Sequence, residues 1–528
     1  MTIHDISLSA RMIVEQVNLF FQQRKLSMSG GMGFEYGFGG GDKSRPVETS
    51  PFIMMVLGDF GGHTNKKADA DPAWLMQVPV RNLDIDNIDQ LWKVFSPSLE
   101  IDIEGVQLML EPTELDDFHP DQLYAELPLF AELRQLRKRL LDPATSSDAL
   151  TEVLESRTDI KGEASFEAPA DVPAPAESGD NMFERLLGES RSRPSPVAAA
   201  SSSLDNLLSK VVGPHIVHEL DPKVDSAVEA VDQAIAESMR RILHHPDFQA
   251  LEGAWRSLYD FVQETEIGEE LQLKVCNVTK AGLLNGLPAS AEALEDSGLY
   301  QLLVGRFRRA ADDEALSLLL CNYYFGGGVD DVSLMASLAM LAEMHNAAVI
   351  GGAQSELIGS QSLVSQPSAK DWTNQDNPFW RQLRESPLAG RIGLALPRIL
   401  GRLPYGSGTD EVSNFEFEEI VSDSHESFLW VNPTLHCGRL LAQSFAEAGW
   451  DMSADDNTDI EDLPAFTYEE KGEKKMLPCA ELLLPESSAE AILGKGIMPI
   501  VSFRSSDKAR LLRFQSISSP VSALAGRW

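Results

Sequence analysis

Uninterrupted apolar runs and regular polar–apolar alternation divide this chain into elements before any other property is considered. Phe52 to Leu57 (FIMMVL) is continuously apolar and is followed by Gly58, Gly61 and Gly62, the pattern of a buried strand leading into a turn. Leu99 to Leu110 (LEIDIEGVQLML) alternates apolar with polar residues around Gly105, which predicts a hairpin with one solvated face. Asn87 to Phe95 and Gln122 to Leu141 carry helical spacing, so this first stretch is expected to be a small α/β unit.

Further along, Val224, Val228, Val231, Ile235, Met239 and Ile242 recur in steps of three and four. They predict a helix capped by Asp221, opened by Pro222 and ended by Pro246, with Arg240, Arg241, His244 and His245 in its last turn, where positive charge complements the helix dipole. A second helix repeats the pattern with Phe248, Leu251, Trp255, Leu258 and Val262. Strand-like runs at Leu271 to Val278, Leu316 to Phe325, Ala347 to Ile350 and Ile392 to Leu396 then interleave with helical patterns at Val332 to Met344 and Phe379 to Glu385. Strands alternating with helices predict a mostly parallel sheet covered on both faces.

Between these regions, from about Asp142 to Ser209, the composition turns to Pro, Ala, Ser, Glu and Asp (APADVPAPA, RSRPSPVAAASSS), a tether that cannot bury enough apolar surface to order itself. Two apolar islands interrupt it, Met182 to Leu187 (MFERLL) and Leu204 to Val212 (LDNLLSKVV). They read equally as residual helix or as linear docking motifs.

Charge narrows the function classes. The chain has 528 residues, with 44 Lys and Arg against 81 Asp and Glu and a net charge of −37. A polyanion would be repelled, so a nucleic-acid role is disfavoured. No apolar stretch approaches the roughly 18 residues that span a bilayer, so membrane insertion is not expected and a cytoplasmic location is. Cys276, Cys321, Cys437 and Cys479 are far apart and read as buried thiols rather than as disulfides or metal ligands.

Candidate chemistry is sparse. Gly326-Gly327-Gly328 joins a predicted strand to a helix, but Asp330 and Asp331 follow where a phosphate loop needs positive charge, so helix capping is the better reading. Asp455, Asn457 and Asp459 imitate a calcium loop, yet Ile460 and Phe466 stand where an EF-hand requires glycine and glutamate. Gly30 to Gly41 matches neither a Walker loop nor a Rossmann turn, and His215 and His218 lack a third ligand. His218-Glu219 and His425-Glu426 are not followed by a zincin's second histidine. No catalytic residue, metal or cofactor is therefore assigned, and assembly is the expected role.

Several long segments then resemble a known family. Ser50 to Gly62 (SPFIMMVLGDFGG), Asn82 to Leu99 and Asp116 to Tyr124 (DDFHPDQLY) resemble the small sheath subunit of bacterial type VI secretion systems. Ile242 to Leu258 (ILHHPDFQALEGAWRSL), Asn322 to Asp331 (NYYFGGGVDD), Pro397 to Gly406 (PRILGRLPYG) and Phe428 to Pro433 (FLWVNP) resemble the large sheath subunit, in that family's order. The signature residues carried over are Gly58, Asp59, Phe60, Asp116, Asp117, Phe118 and Pro120 in the first portion. In the second they are His244, His245, Pro246, Phe248, Leu251, Trp255, Pro397, Arg398, Leu403, Pro404, Tyr405, Gly406, Trp430 and Asn432.

The resemblance implies an α/β (α+β) protein of two mixed-sheet sheath-type domains joined by a disordered acidic Pro/Ala/Ser linker. Its expected divisions are an N-terminal helix-like and Gly-rich stretch (1–45), a small-subunit-like domain (46–141), the linker (142–209) and a large-subunit-like domain (210–528). It implies pairing with other sheath subunits or with itself, polymerisation around an inner tube protein, baseplate contacts and dismantling by an AAA+ ATPase. Phe183, Leu186, Leu187, Leu204, Leu207 and Leu208 are the candidate ATPase-docking residues, because the islands precede the large-subunit portion as that family's docking helix does. Large sheath subunits continue beyond the stretch matched by Gly496 to Ser519, whereas this sequence stops at Trp528. The resemblance therefore also admits a non-polymerising adaptor or a baseplate or end component. An enzyme on an α/β scaffold is the remaining reading, and it requires a ligand in a pocket.

Overall fold

The computed structural model describes residues 50–62, 72–103, 105–142, 144–151, 224–287, 295–308, 314–373, 377–421 and 424–528. The glycine run, His215, His218, Asp221, Pro222 and both apolar islands lie outside the described residues.

The first apolar run forms β1 (Phe52–Gly58), buried along its whole length, as a strand flanked by neighbours and covered on two faces must be. A short strand β2 (Val80–Leu83), helix α1 (Ile88–Phe95), the hairpin β3 (Leu99–Ile103) and β4 (Val106–Leu110), and helices α2 (Pro120–Glu126) and α3 (Ala131–Leu141) complete the first portion. The hairpin buries alternate residues of β3, and Gly105 at its turn has φ +86, a conformation that favours glycine. The helical stretch expected from Gln122 to Leu141 is divided at Leu127-Pro128, where proline breaks the ladder of hydrogen bonds.

The second portion runs α4 (Val224–Leu243), α5 (Pro246–Gln263), β5 (Leu271–Asn277), α6 (Lys280–Asn285), β6 (Leu316–Phe325), α7 (Val329–Glu343), β7 (Ala348–Ala353), α8 (Pro378–Glu385) and β8 (Ile392–Leu396). After β9 (Ile399–Leu400), β10 (Trp430–Val431) and α9 (Thr434–Ala448) come β11 (Asp459–Ile460), β12 (Thr467–Glu470), β13 (Glu473–Met476), α10 (Glu486–Gly494), β14 (Met498–Ser502) and β15 (Ala509–Leu511).

Pro246 does not end α4 but opens α5. The helix stops at Leu243, and His245 caps the next one by accepting a hydrogen bond at Nδ1 from the Asp247 amide (3.3 Å). His244 and His245 therefore lie between the helices rather than in a last turn, because a proline lacking N–H fits a first helical position without loss.

The principal sheet has the order β11-β15-β14-β8-β7-β6-β1-β5-β2. Strands β14, β8, β7, β6, β1 and β5 are mutually parallel, while β2, β15 and β11 pair antiparallel at the two ends. The strand from the first portion is thus internal, with Phe52 opposite Leu271 on one side and Leu57 opposite Cys321 on the other. The two portions share one sheet. Phe52, Met54 and Val56 point to a core with α1, α4, α5 and α9, and Ile53, Met55 and Leu57 to a core with α6, α7 and α8.

Candidate functional site

The signature segments meet where α5 crosses the carboxyl end of β1. Gly62, with φ +69, places its Cα so close to the Ser98 carbonyl that a Cβ would lie 2.9 Å from that oxygen, so the turn after β1 requires glycine. The turn presents Phe60, whose amide donates to Asn277 Oδ1 (3.0 Å) and whose carbonyl accepts from Trp255 Nε1 (3.0 Å). The Trp255 ring, fully buried, stacks on Trp92 of α1 at 3.7 Å between centroids and 10° between planes. Trp92 Nε1 donates to the Tyr259 hydroxyl (3.0 Å), which donates to Asp89 (2.6 Å). Burial and this hydrogen bond push the Tyr259 phenol up to about 12. Phe118 and Phe248 close the seam edge-on at 5.4 Å.

A sequence echo supports the same junction. His119-Pro120-Asp121 and His245-Pro246-Asp247 both place histidine at an N-cap and proline at the first helical position. The Asp121 carboxylate accepts from the amides of Ser413 and Asn414 (3.0 Å each), tying α2 to a loop of the second portion. Asp117 serves its own turn, accepting from the amides of Thr113 (2.6 Å) and Glu114 (3.2 Å), and the Asp116 carbonyl accepts from the His119 amide.

Beneath α5 lies a buried ion cluster centred on Arg402. Its guanidinium donates to Glu252 (Nε to Oε1, 2.7 Å) and to both oxygens of Glu419 (2.7 and 3.0 Å), and its plane covers the Tyr405 ring at 4.1 Å. Arg256 also reaches Glu252 (2.7 Å) and the Tyr405 hydroxyl (3.0 Å). Two guanidinium groups and two carboxylates balance, and the buried lone pairs are met by hydrogen bonds. Burial opposes ionisation of Glu419, but the Arg402 charge and the hydrogen bonds around it outweigh that and hold its carboxyl at about 2. Burial likewise opposes the charge on Arg402, and Glu252 and Glu419 raise its value well above normal.

A second cluster sits at the end of β8. Arg398 bridges Glu481 (2.7 Å) and Glu426 (2.9 Å), and His425 Nε2 lies 3.1 Å from Glu481 beneath the stacked Trp430 ring. Pro404 and Gly406 are buried and Leu403 half-buried in the loop carrying Tyr405. The Glu418 carboxylate folds over Gly406 and accepts from the Ser407 amide (3.0 Å) and hydroxyl (2.5 Å). Asn432 is buried and accepts at Oδ1 from the Thr434 amide and hydroxyl.

The groups considered for other chemistry have partners within the protein. Asp331 accepts from the Gly326 amide (2.6 Å) and pairs with Lys280 (2.5 Å), and the Gly327 amide donates to Glu356 (3.0 Å). A carboxylate thus takes the amide of the glycine run. Gly328, at the N-cap of α7, has no side chain to cap with. In the acidic loop, Asp455 accepts from the Phe514 amide, Asn457 donates to Gln443, and Asp459 pairs with Arg510. Among the described residues, no group of three or more His, Cys, Asp or Glu side chains is placed to hold a metal ion, and no helix is long and apolar enough to cross a membrane. All four cysteines are buried, which pushes the thiols of Cys276 and Cys437 up to about 12 and that of Cys479 up to about 11.

Arg402, Glu252 and Glu419 were not singled out by sequence reasoning. Their partners are 150 and 17 positions away from Arg402, and the one available signal was an arginine among the apolar residues of PRILGRLPYG.

Aromatic packing, hydrogen bonds and a shared sheet between two distant portions of one chain define a pre-paired structural protein, with closed ion clusters inside the second portion. Comparison with known families specifies which. Residues 225–518 match the tail sheath N-terminal domain of the VipB (EvpB) family, and residues 33–159 match the VipA model of the type VI secretion system. The VipB match spans more than half of the chain, and the chain belongs to that sheath family, with small- and large-subunit portions fused. The type VI secretion system sheath protein TssC1 of Pseudomonas aeruginosa is 30% identical over 311 residues. That alignment covers 56% of this chain and 62% of the relative, so the chain spans less than two thirds of the relative's length.

Proposed function

We propose that this protein is a structural subunit of a type VI secretion contractile sheath, acting in the cytoplasm through shape and contact rather than through catalysis. The observation that carries the proposal is the internal position of β1 between β5 and β6, which makes the small-subunit portion part of the same sheet as the large-subunit portion. In separate subunits that junction forms by collision; here covalent connection supplies a high effective concentration and a one-to-one ratio. Heterologous contacts repeated from one such pair to the next generate a helix of subunits.

The partners under this reading are further copies of the chain or other sheath subunits, an inner tube protein and baseplate components. An AAA+ ATPase would engage Phe183, Leu186 and Leu187 or Leu204, Leu207 and Leu208. The divisions 46–141 and 210–528 are the corresponding subunit-like domains, with 142–209 as the connection between them.

Electron microscopy of the purified full chain, alone and with the other sheath and tube proteins, tests this. Tubes or cogwheel rings containing the chain are expected. Monodisperse particles under both conditions would overturn polymerisation and leave a sheath-derived adaptor or end component.

A further inference from the structure

The amino ends of the parallel strands form an edge rich in arginine. After β15 the chain turns back across them: the Leu512 amide donates to the Pro499 carbonyl of β14 (3.0 Å), the Ile517 amide to the Ile392 carbonyl at the start of β8 (2.9 Å), and the Ala525 amide to the Gly390 carbonyl (2.8 Å). Arg384, near the end of α8, donates from Nε to the Ile517 carbonyl (2.7 Å). Arg391 precedes β8 and donates to the Ala347 carbonyl (3.3 Å) and to Asn346 Oδ1 (2.8 Å), at the start of β7. Arg527 donates to the Ala315 carbonyl (2.9 Å) and to Ser50 Oγ (3.4 Å), just ahead of β6 and β1. With Arg513, exposed beyond β15, these arginines line five strand ends, roughly 19 Å at about 4.8 Å per strand.

Their partners set them apart. Arg137, Arg256, Arg398, Arg402 and Arg439 each meet a carboxylate inside the protein. Among the described residues, Arg384, Arg391, Arg513 and Arg527 pair with none: Glu314 near this edge is taken by Lys274 (3.1 Å) and Asp455 by the Phe514 amide (2.7 Å). Arg384, Arg391 and Arg527 are nevertheless half-buried. Burial lowers the values of Arg384 and Arg527 unopposed and that of Arg391 against the smaller pull of Glu343, and burial and the Arg384 charge together lower that of Lys495. Cations drawn partly out of water without an anion cost free energy until one arrives.

The chain itself, at a net charge of −37, offers the anion. Between Asp84 and Glu126, Lys93 is the only lysine or arginine. Glu111, Glu114, Asp116 and Glu126 are exposed there, and among the described residues none of them pairs with a lysine or arginine. Glu111 and Glu126 flank a crevice with Leu99 and Phe248, and the Ser98 amide bonds the Gly61 carbonyl just past β1, which places this acidic face at the carboxyl ends of the strands. The cationic edge and the acidic face thus lie at opposite ends of the sheet and do not meet within one molecule. Two different, complementary surfaces on one chain make a heterologous contact that repeats from copy to copy. The overall repulsion between copies is screened beyond about 8 Å at physiological salt, so the facing groups decide.

We infer that the amino-end edge docks on the acidic face of a second copy, with Arg384, Arg391, Arg513 and Arg527 receiving the carboxylates around Glu111 and Asp116. The inference rests on the sheath reading and supplies one contact for it.

Sedimentation of the purified full chain over a range of concentration and salt, alone and with the other sheath and tube proteins, tests it. The parent should self-associate, less so in high salt. Arg391→Glu with Arg513→Glu, and separately Glu111→Lys with Asp116→Lys, should each weaken association about tenfold or more. An equal mixture of the two variants should recover it, because the reversed edge of one meets the reversed face of the other, a recovery that misfolded chains would not give. Arg513→Glu alone, at an exposed position, carries the test if Arg391→Glu folds poorly. Association of both variants equal to that of the parent would overturn this inference and leave the sheath reading standing, whereas a parent that stays monomeric under every condition would overturn both. Weakening by the edge variant alone, without recovery in the mixture, would assign the edge to an acidic partner other than a second copy and overturn the inference as well.

Discussion

On one face of the sheet, Phe52, Met54 and Val56 meet side chains from both portions of the chain, Trp92, Phe95 and Phe118 from the first and Trp255, Phe248 and Val231 from the second. On the other face, Ile53, Met55 and Leu57 meet chiefly α7, whose residues Val332 to Ala342 are all buried, and from the first portion little beyond Leu75 and Val78 is added. The first face is an interface that became a core, with aromatic anchors, the Asp121 carboxylate reaching across the junction to Ser413 and Asn414, and the second portion's ion cluster beneath α5. The second is the ordinary core of a parallel sheet under a helix apolar on every side. The difference teaches where coupling between the portions resides: damage to the first face should loosen both portions together, and damage to the second should act mainly on the fold of the large portion.

The largest effect is expected at the ion cluster. Arg402→Met leaves Glu252 and Glu419 buried without their shared cation and should cost about 3–5 kcal/mol, read as a lowered denaturation midpoint at neutral pH. The same variant raises the pKa of Glu419, so its instability should lessen as pH falls toward 4. A constant deficit from pH 7 to 4 would show that the cluster is not electrostatically coupled.

Trp255→Ala should cost about 3–5 kcal/mol and should lower protection from hydrogen exchange in both β1 and α1. Leu338→Ala in α7, at about 2–5 kcal/mol, is the control from the other face, and it should leave the exchange of α1 near that of the parent. Equal loss in α1 from both variants would erase the distinction between the faces.

Acid provides a graded version of the same comparison. Burial holds the His436 imidazole down at about 4, against an ordinary value of 6.5, and Glu419 stands at about 2 against 4.5. Both folded values lie below the unfolded ones, so the unfolded chain binds more protons on acidification. The His436 contribution is complete above about pH 6.5 and is lost down to about 4; that of Glu419 is complete above about 4.5 and is lost down to about 2. His436→Gln should therefore flatten the fall in thermal midpoint between pH 6.5 and 4 without changing it below. The smallest effect belongs to the rim: Arg137→Ala removes a partly exposed pair with Asp232 and should cost only about 0.2–1 kcal/mol, less in high salt.

The contrast also explains what the sequence could reveal. Phe52 to Leu57, Leu316 to Phe325 and Ile392 to Leu396 are strands because continuous apolar runs have a local signature, and the hairpin at Gly105 follows from two-residue alternation. That β1 sits between β5 and β6 has no local signature, since β5 lies more than 200 positions away and the pairing is written in backbone hydrogen bonds common to all strands. The same holds for the Trp92 and Trp255 stack. Each tryptophan is legible as a core residue on its helix, but their meeting is a property of the closed sheet. His244 and His245 were misplaced because helical spacing continues up to Pro246, and the choice between ending one helix and opening the next rests on which amide the histidine caps. The ion cluster was least legible: Glu252 lies beside an apolar stripe, where an isolated carboxylate gives no sign of its partners.

The central claim is that the first portion is an integral layer of the sheet rather than an appended domain. Introducing a specific protease site within residues 152–223, cleaving the folded protein and passing it over a sizing column in buffer without denaturant tests it most directly. The two fragments are predicted to stay together and to separate only when the whole molecule unfolds. Fragments that elute apart, each retaining folded structure, would contradict the claim.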